Sequence, residues 1–341
     1  EKTFEVIAEA WDLWGYEVGN FPSGWGEWNG RFRDAMRAYL KGDGNTDDFM
    51  SFFNGDWLHF NTSGGPQKSV NFITAHDGFT LIDLVSYNDK DNDQPYPFGP
   101  SDGGGDNNMS WDSGGDQALR RTRWRNFLLI TFLARGVPMI VSGDEYGRTQ
   151  NGNNNPWALD SIAMLNNYDM IATAEPHKVP VGPGETAAYH DNFGKFDNEE
   201  NVNGLFRFAG FLVGLRHRHK ALRQKGYGDM VLDDADVSYL FHTTVPNNYP
   251  QSADRTLAVH INSPGDDFWV MINMADHEAE FEIPAAKKGQ VWRRLIDTSH
   301  AAEPVHNFWP EGTGEVVAGS ETVAAWSVVI WHEDTAETEE G

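Results

Sequence analysis

The sequence predicts a mixed fold, in which an α/β region is followed by an all-β region. In the first region, short apolar runs end in acidic residues, as in "VIAEAW" (6–11) and "SVNFITAHDGF" (69–79), and a long helical pattern separates the second run from another at 137–147. Strand, loop, helix and strand in this order, with carboxylates at the strand ends, are typical of a parallel sheet or barrel. From about residue 228, short alternating segments separated by turns indicate an antiparallel β-sandwich. We therefore predict two domains, 1–227 and 228–341, with the boundary near 226–229.

The first region contains four candidate strands. They are the run ending at Glu9, a short strand over Trp28–Phe32, the run ending at Asp77, and "VPMIVSGDEYG" (137–147) ending in Asp144 and Glu145.

Two helices and two loops connect these strands in the prediction. "DQALRRTRWRNFLLITFLARG" (116–136) predicts a buried helix with Asp116 as N-cap and Gly136 as terminator. A second helix is predicted over 205–223. The Gly-, Asn- and Asp-rich stretch 42–66 and the Pro- and Gly-rich stretch 88–116 predict loops, and a loop as long as the second is usually functional or a lid.

The second region contains six candidate strands, which alternate or are apolar throughout. They are "VSYLFHTT", "TLAVHINS", "FWVMINM", "AEFEIP", "VWRRLID" and "AAWSVVIWHE".

The charge of the chain excludes several kinds of partner. There are 51 acidic against 26 basic residues, a net charge of −25, which repels nucleic-acid phosphates and anionic lipid but is indifferent to a neutral substrate. No apolar run approaches the roughly 18 residues of a membrane helix. With no cysteine, thiolate chemistry and disulfides are excluded. No signal peptide is visible, and we expect a soluble protein in a secreted, periplasmic or intracellular setting.

Acids at the ends of parallel strands converge at one mouth of a barrel. Glu9, Asp77, Asp144 and Glu145 are four such acids, and paired carboxylates suit glycoside hydrolysis, where one protonates and another attacks or stabilises the sugar. For Asp144 and Glu145 an alternative stays open, in which each caps a helix or satisfies loop amides.

Five ordered motifs connect the sequence to a known family. They are "AEAWD" (8–12), "FPSGWGEWNGRFRDAMR" (21–37), "VNFITAHDGFTLIDLVSYN" (70–88), "FGPSDGGGDNNMSWD" (98–112) and "GDEYGRTQNGNNNPW" (143–157). Together they resemble isoamylase-type starch and glycogen debranching enzymes of the α-amylase superfamily. The resemblance covers nearly the whole chain, more loosely between residues 160 and 260.

The resemblance implies a role for particular residues. Glu9 matches the family's general acid/base, and His76 and Asp77 match the pair that binds sugar hydroxyls and stabilises the transition state. A protonated Glu9 can donate to the glycosidic oxygen, while ionised Asp77 offsets the charge of an oxocarbenium-like sugar. Trp11 and Tyr16 are candidate sugar platforms or core aromatics.

The asparagines of the last motif have two interpretations. Asn153, Asn154 and Asn155 could each bind glucan or shape a turn, and the second interpretation is slightly favoured.

One part of the family pattern is missing from the sequence. In this family the nucleophilic Asp lies in a motif of the form G-F-R-F-D, one strand before the acid. The nearest match is "GLFRFAG" (204–210), which has Ala209 in the acid's place and lies in a helical stretch. Because a barrel of this kind has eight strands and only four are found, we expect the C-terminal half of a (β/α)8 barrel followed by a β-sandwich, with the nucleophile on a missing N-terminal half.

Two classes of function follow. The first is retaining hydrolysis of α-1,6 branch linkages in a branched α-glucan, with the missing half as partner. The second is a non-catalytic glucan-binding or scaffold subunit. No cofactor is required by the sequence. Calcium is common in the superfamily, but the acidic run "DKDND" (89–93) lacks the spacing of an EF-hand loop and indicates a solvated loop.

Overall fold

The computed structural model describes residues 4–12, 14–172, 178–227 and 237–336. The predicted domain boundary lies between residues 227 and 228. Residues 228–236, which directly follow it, lie outside the described residues.

A four-stranded parallel sheet organises the first region. Its strands, in the spatial order β1-β4-β5-β6, are β1 (Ile7–Ala8), β4 (Gly26–Trp28), β5 (Ser69–Asn71) and β6 (Val137–Pro138). Two hairpins accompany it: β2 (Trp11–Asp12) with β3 (Gly15–Tyr16), and β7 (Lys178–Gly182) with β8 (Glu185–Ala188).

The described part of the first region also contains six α-helices. They are α1 (Gly30–Lys41), α2 (Thr46–Phe53), α3 (Trp57–Phe60), α4 (Leu81–Leu84), α5 (Gln117–Leu133) and α6 (Gly204–Arg218). Asp116 caps α5 as predicted, since its carboxylate accepts from the amide of Ala118 at 2.9 Å. The apolar half of α5 is wholly buried, also as predicted.

Several predicted boundaries are wrong. The strand predicted over Trp28–Phe32 ends at Trp28, because Asn29 accepts from the amide of Phe32 and starts α1. The predicted loop 42–66 contains α2 and α3. Helix α5 is capped by Ala134 rather than Gly136.

The strand predicted over 137–147 is also wrong in extent. It comprises only Val137–Pro138, and Asp144–Tyr146 forms a 3-10 turn.

The second region is antiparallel, as predicted. A six-stranded sheet has the order β14-β13-β16-β11-β10-β9, and β12 pairs with β15 in a second sheet. The bounds are β9 (Ser238–His242), β10 (Thr256–Asn262), β11 (Phe268–Asn273), β12 (Ala279–Glu282), β13 (Gln290–Asp297), β14 (Val316–Val317), β15 (Ser320–Val323) and β16 (Ser327–Thr335).

A separate core lies between the two antiparallel sheets. Phe281 of β12 and Val323 of β15 pack with Trp269, Trp292 and Trp331 of the larger sheet, all at most 3% exposed. The fold class is therefore confirmed as mixed α/β with an antiparallel sheet.

Buried charges join the two regions. Arg121 and Arg125 of α5 both reach Glu303, which lies in a 3-10 turn after β13, with N···O distances of 2.6 and 2.5 Å. The arginines hold the pKa of Glu303 at about 2, below its usual range, although burial alone would raise it. Among the described residues, no helix is long and apolar enough to span a bilayer.

Candidate active site

Two strands deliver Glu9 and His76 to one edge of the parallel sheet. Glu9 directly follows β1, and His76 follows β5 after the buried segment 72–75. Because the carboxyl ends of parallel strands share an edge, these side chains meet across 67 residues of sequence: Glu9 Oε1 lies 3.7 Å from His76 Nε2. Their side chains are 45% and 63% exposed, so both are accessible to a ligand.

Aromatic rings form a wall beside this pair. Trp11 lies 5.6 Å from Trp28 and 5.7 Å from Phe72 between ring centroids, and Trp28 lies 5.7 Å from His76. Tyr16 meets Trp11 edge-on at 6.5 Å. Trp11 and Tyr16 are both half-buried. The wall can offer flat apolar faces to a sugar ring, while the carboxylate of Glu9 and the imidazole of His76 form hydrogen bonds with the oxygens of the sugar.

Two arginines on α1 support this edge. Four residues apart, Arg33 and Arg37 lie on one face of the helix. Arg33 donates to the hydroxyl of Tyr16 and forms an ion pair of 2.7 Å with Asp34.

Arg37 is buried and donates to the carbonyls of Ile73 (2.6 and 2.9 Å) and Asn108 (3.1 Å). Burial, together with neighbouring Arg33, lowers the pKa of Arg37 to about 9. Arg37 therefore fixes the segment before His76 against the long loop 88–116.

A cavity of about 400 Å³ lies next to Arg33 and Arg37 of α1. Its volume is in the range of small-molecule sites. Exposed Asp77 lines it together with the two arginines of α1, the loop 88–116 and the asparagine motif. The lining residues are Arg33, Arg37, Asp77, Gly78, Gly104, Gly105, Asn107, Asn108, Met109, Asn154 and Asn155. An anionic carboxylate, cationic guanidinium and amides facing one space suit a polyhydroxylated ligand.

Asn153 and Asn154 are buried beneath the long loop. The amide group of Asn153 donates to the carbonyl of Phe98 at 2.8 Å and accepts from Ser101 at 3.0 Å. Asn154 donates to the carbonyl of Gly105 at 2.8 Å and accepts from Asn92 at 3.0 Å. Both side chains thus hold the loop in place, and only Asn154 also borders the cavity.

Asp144 accepts from the first amide of helix α4 and Glu145 from a loop amide, which is the alternative that the sequence left open. Asp144 accepts from the amide of Leu81 at 2.9 Å and from the hydroxyl of Thr74. Burial raises its pKa to about 6, despite these hydrogen bonds. Glu145 accepts from the amide of Gly143 at 2.7 Å.

Asp83 is a buried acid that the sequence did not single out. Its carboxylate accepts from the amide of Gln150 at 2.7 Å, from the side-chain amide of Asn192 at 2.9 Å and from the hydroxyl of Thr149. Burial raises its pKa. It anchors α4 to the segment that precedes Asn153.

The structure thus brings Glu9, His76, Trp11 and Tyr16 together, and places Asp77 and Asn154 at the adjoining cavity. Sequence reasoning missed Arg33, Arg37, Trp28, Phe72 and Asp83. For the arginines a signal existed, since their four-residue spacing places them on one helix face.

The acidic run 89–93 is bound to the rest of the long loop through Lys90. Lys90 donates to the carbonyls of Gly103 and Gly104 and pairs with Asp106 at 2.8 Å. Within the described parts of the chain, no group of three acidic or histidine ligands lies close enough to share a metal at this edge.

The chain is similar in sequence to curated proteins named isoamylase and glycogen operon protein GlgX homolog. The chain is 34% identical over 339 residues to an isoamylase of Flavobacterium sp., which covers 94% of this chain and 39% of that protein. It is 33% identical to the glycogen operon protein GlgX homolog of Mycobacterium tuberculosis, over 86% of this chain and 41% of that protein. The chain therefore spans about two fifths of the length of these curated relatives. No protein-family model matches it.

Solved structures of similar fold include pullulanases. That of Bacillus acidopullulyticus aligns with a TM-score of 0.63 at 17% identity, over 96% of this chain and 34% of the other. Pullulanase type I of Bacillus subtilis gives 0.59 at 19% identity, over 96% and 39%. At such identities the likeness shows the fold alone.

Proposed function

We propose that this chain, a homologue of isoamylases and GlgX proteins, takes part in the hydrolysis of α-1,6 branch linkages in glycogen, amylopectin or limit dextrins. The observation that carries this proposal is the meeting of Glu9 and His76 at one edge of the parallel sheet, beside the aromatic wall. The relatives' names, isoamylase and glycogen operon protein, support the substrate class.

In the proposed mechanism Glu9 is the general acid/base. Its exposed carboxyl protonates the glycosidic oxygen as the bond breaks and then removes a proton from the attacking water. His76 binds a sugar hydroxyl, and Asp77 offsets the positive charge of the oxocarbenium-like transition state. Trp11 and Tyr16 contribute sugar-binding faces, and Asn153 and Asn154 shape the loop that borders the substrate.

A retaining mechanism needs a second carboxylate about 5–5.5 Å from the acid, which attacks the sugar carbon. We assign that nucleophile to strands that would extend the parallel sheet into a (β/α)8 barrel, of which residues 1–227 are the C-terminal half and 228–341 the following β-sandwich. The ends of the sheet support this extension. Ile7 of β1 and Val137 of β6 are 56% and 43% exposed on the two outermost strands, where further strands would cover them.

The test uses a polypeptide in which this chain is joined to the strands that complete the barrel. We expect it to release linear chains from amylopectin and to leave amylose intact. Attack on amylose at a similar rate would contradict the branch-point specificity. Binding of amylopectin without any hydrolysis would favour the alternative, a non-catalytic glucan-binding or scaffold subunit.

A further inference from the structure

Two histidines and an aspartate meet where α6 touches the antiparallel sheet. His219 follows the last residue of α6, Asp266 lies in the turn between β10 and β11, and His332 is on β16. His219 Nδ1 lies 2.6 Å and His332 Nε2 3.1 Å from the same oxygen, Asp266 Oδ1. One potential ligand atom from each residue lies within 4.8 Å of the others.

The donor set fits a first-row transition metal. Imidazole nitrogens and carboxylate oxygens are ligands of Zn²⁺, with bonds of about 2.0–2.2 Å. A tetrahedral ion with such bonds holds neighbouring ligand atoms about 3.3 Å apart. The contact of 3.1 Å is already close to this value, and that of 2.6 Å needs to lengthen by about 0.7 Å.

Glu311 stands where a metal-bound histidine needs an outer partner. Its Oε1 lies 3.2 Å from Nε2 of His219, the ring nitrogen opposite the one that faces Asp266. Histidine ligands of metals usually donate this second N–H to a carboxylate, which fixes the tautomer that leaves the other nitrogen free to bind. Arg218 holds the same oxygen of Glu311 at 2.8 Å.

The surroundings are shaped like a metal site in two more respects. Phe268 is fully buried and lies 5.1 Å from the ring of His219 and 4.7 Å from that of His332, so it forms an apolar floor that keeps both rings in place. The carboxylate of Asp266 is 24% exposed, which leaves an entry path for an ion.

We propose that His219, Asp266 and His332 bind one Zn²⁺ ion, with Glu311 orienting His219 and water in the fourth position. Three protein ligands from α6, a turn and β16 would join the helix to the antiparallel sheet. The site does not include any residue assigned to glucan hydrolysis, so its role is to stabilise the junction. The proposal does not rest on the proposed function.

The experiment measures metal binding directly in the folded polypeptide in which this chain is joined to the strands that complete the barrel. After chelator treatment and dialysis, we expect titration with ZnCl₂ to give one bound ion per chain and to raise Tm, and Co²⁺ in its place to give the intense visible absorption of a tetrahedral site. In His332→Gln and Asp266→Asn we expect affinity to fall at least 100-fold. His277→Gln, at a 76% exposed histidine of the same region, should bind Zn²⁺ like the parent.

Two results would overturn the assignment. One is a wild-type protein that binds no stoichiometric Zn²⁺. The other is Zn²⁺ binding that both ligand variants retain, with melting curves in the absence of metal showing that they are folded. If His332→Gln fails to fold, Asp266→Asn and the Co²⁺ spectrum of the wild type decide the matter.

Discussion

The pair at the strand ends and the buried ion pairs between the two regions differ in burial and in the contacts that they leave open. At the strand ends, Glu9 and His76 approach only to 3.7 Å, and both remain about half exposed. At the junction of the two regions, Glu303 contacts Arg121 and Arg125 at 2.5–2.6 Å, and all three are at most 3% exposed. The loose, exposed pair keeps hydrogen-bonding capacity for a ligand, whereas in the tight, buried triad both oxygens of Glu303 accept from arginine guanidinium groups.

The difference also predicts what each cluster contributes to stability. An exposed ion pair contributes about 0–1 kcal/mol, because water screens it and side-chain entropy opposes it. Removing one partner of a buried pair costs about 3–5 kcal/mol, because a charge is left without a partner. Substitutions at the two clusters should therefore separate activity from stability.

Glu9→Gln should have the largest effect. In the completed barrel we expect kcat to fall by about 10²–10⁴-fold, since a general acid contributes that factor, while glucan binding and Tm stay near those of the parent. Glu17→Gln is the matched control, because Glu17 lies near the same edge and its exposed carboxylate accepts from the side-chain amide of Asn20 at 2.8 Å. Activity of Glu9→Gln within tenfold of the parent would show that another group is the acid.

Glu303→Gln should show the reverse pattern. We expect the free energy of unfolding to fall by about 3–5 kcal/mol, since two buried guanidinium groups lose their counter-charge, with kcat per folded molecule little changed. The control is Glu200→Gln, which removes a pair with Arg207 that is 53% and 40% exposed and should cost at most about 1 kcal/mol. Equal losses in the two variants, measured by urea unfolding, would contradict the comparison.

Acid should weaken the junction through the same carboxylate. The pKa of Glu303 is about 2 in the folded protein, against an ordinary value of 4.5. The folded state thus binds fewer protons than the unfolded state between these values. The ionised carboxylate of Glu303 therefore stabilises the folded state by about 3 kcal/mol. This contribution is complete above pH 4.5 and is lost as pH falls toward 2.

This dependence can be isolated by subtraction. We expect the free energy of unfolding of the parent, minus that of Glu303→Gln, to be constant from pH 7 to 5 and to shrink below pH 4.5. A difference that stays constant down to pH 2 would show that protonation of Glu303 does not cause the loss of stability in acid.

Salt should have the smallest effect at the candidate active site. Although the chain has a net charge of −25, a neutral glucan forms no ion pairs with it. Raising NaCl shortens the Debye length from about 30 Å at 0.01 M to about 10 Å at 0.1 M, yet we expect KM to remain within twofold. A steep change in KM with folding unaffected would mean that charge takes part in recognition.

The same two clusters show what sequence can and cannot reveal. Glu9 and His76 were predictable because each lies in a short motif directly after an apolar strand. Glu303 was not, since its partners lie 182 and 178 residues away and a single acid in a loop has no local pattern. Asp83 was missed for the same reason, since its partners come from two distant segments, at residues 149–150 and at Asn192.

For helix α2 the sequence contained a helical signal that the composition of the surrounding residues obscured. Helix α2 was predicted as loop because its surroundings are rich in Gly, Asn and Asp. Yet Asn45 is an N-cap, accepting from the amide of Asp48, and Phe49 and Phe53 are four residues apart on the buried face. In the antiparallel region, where alternation follows strand pairing directly, all six predicted strands were found.

We propose that this chain provides the acid of a glycosidase and that the nucleophile lies on the remaining barrel strands. The most direct test measures reducing-end release from amylopectin by the 341-residue chain alone, and by the same chain with the remaining barrel strands supplied in trans. We predict no hydrolysis by the chain alone, which should also aggregate through its open sheet edges, and activity in the mixture. Hydrolysis by the lone chain at a rate near that of the mixture, or a soluble monomer with a cooperative melt, would contradict the account.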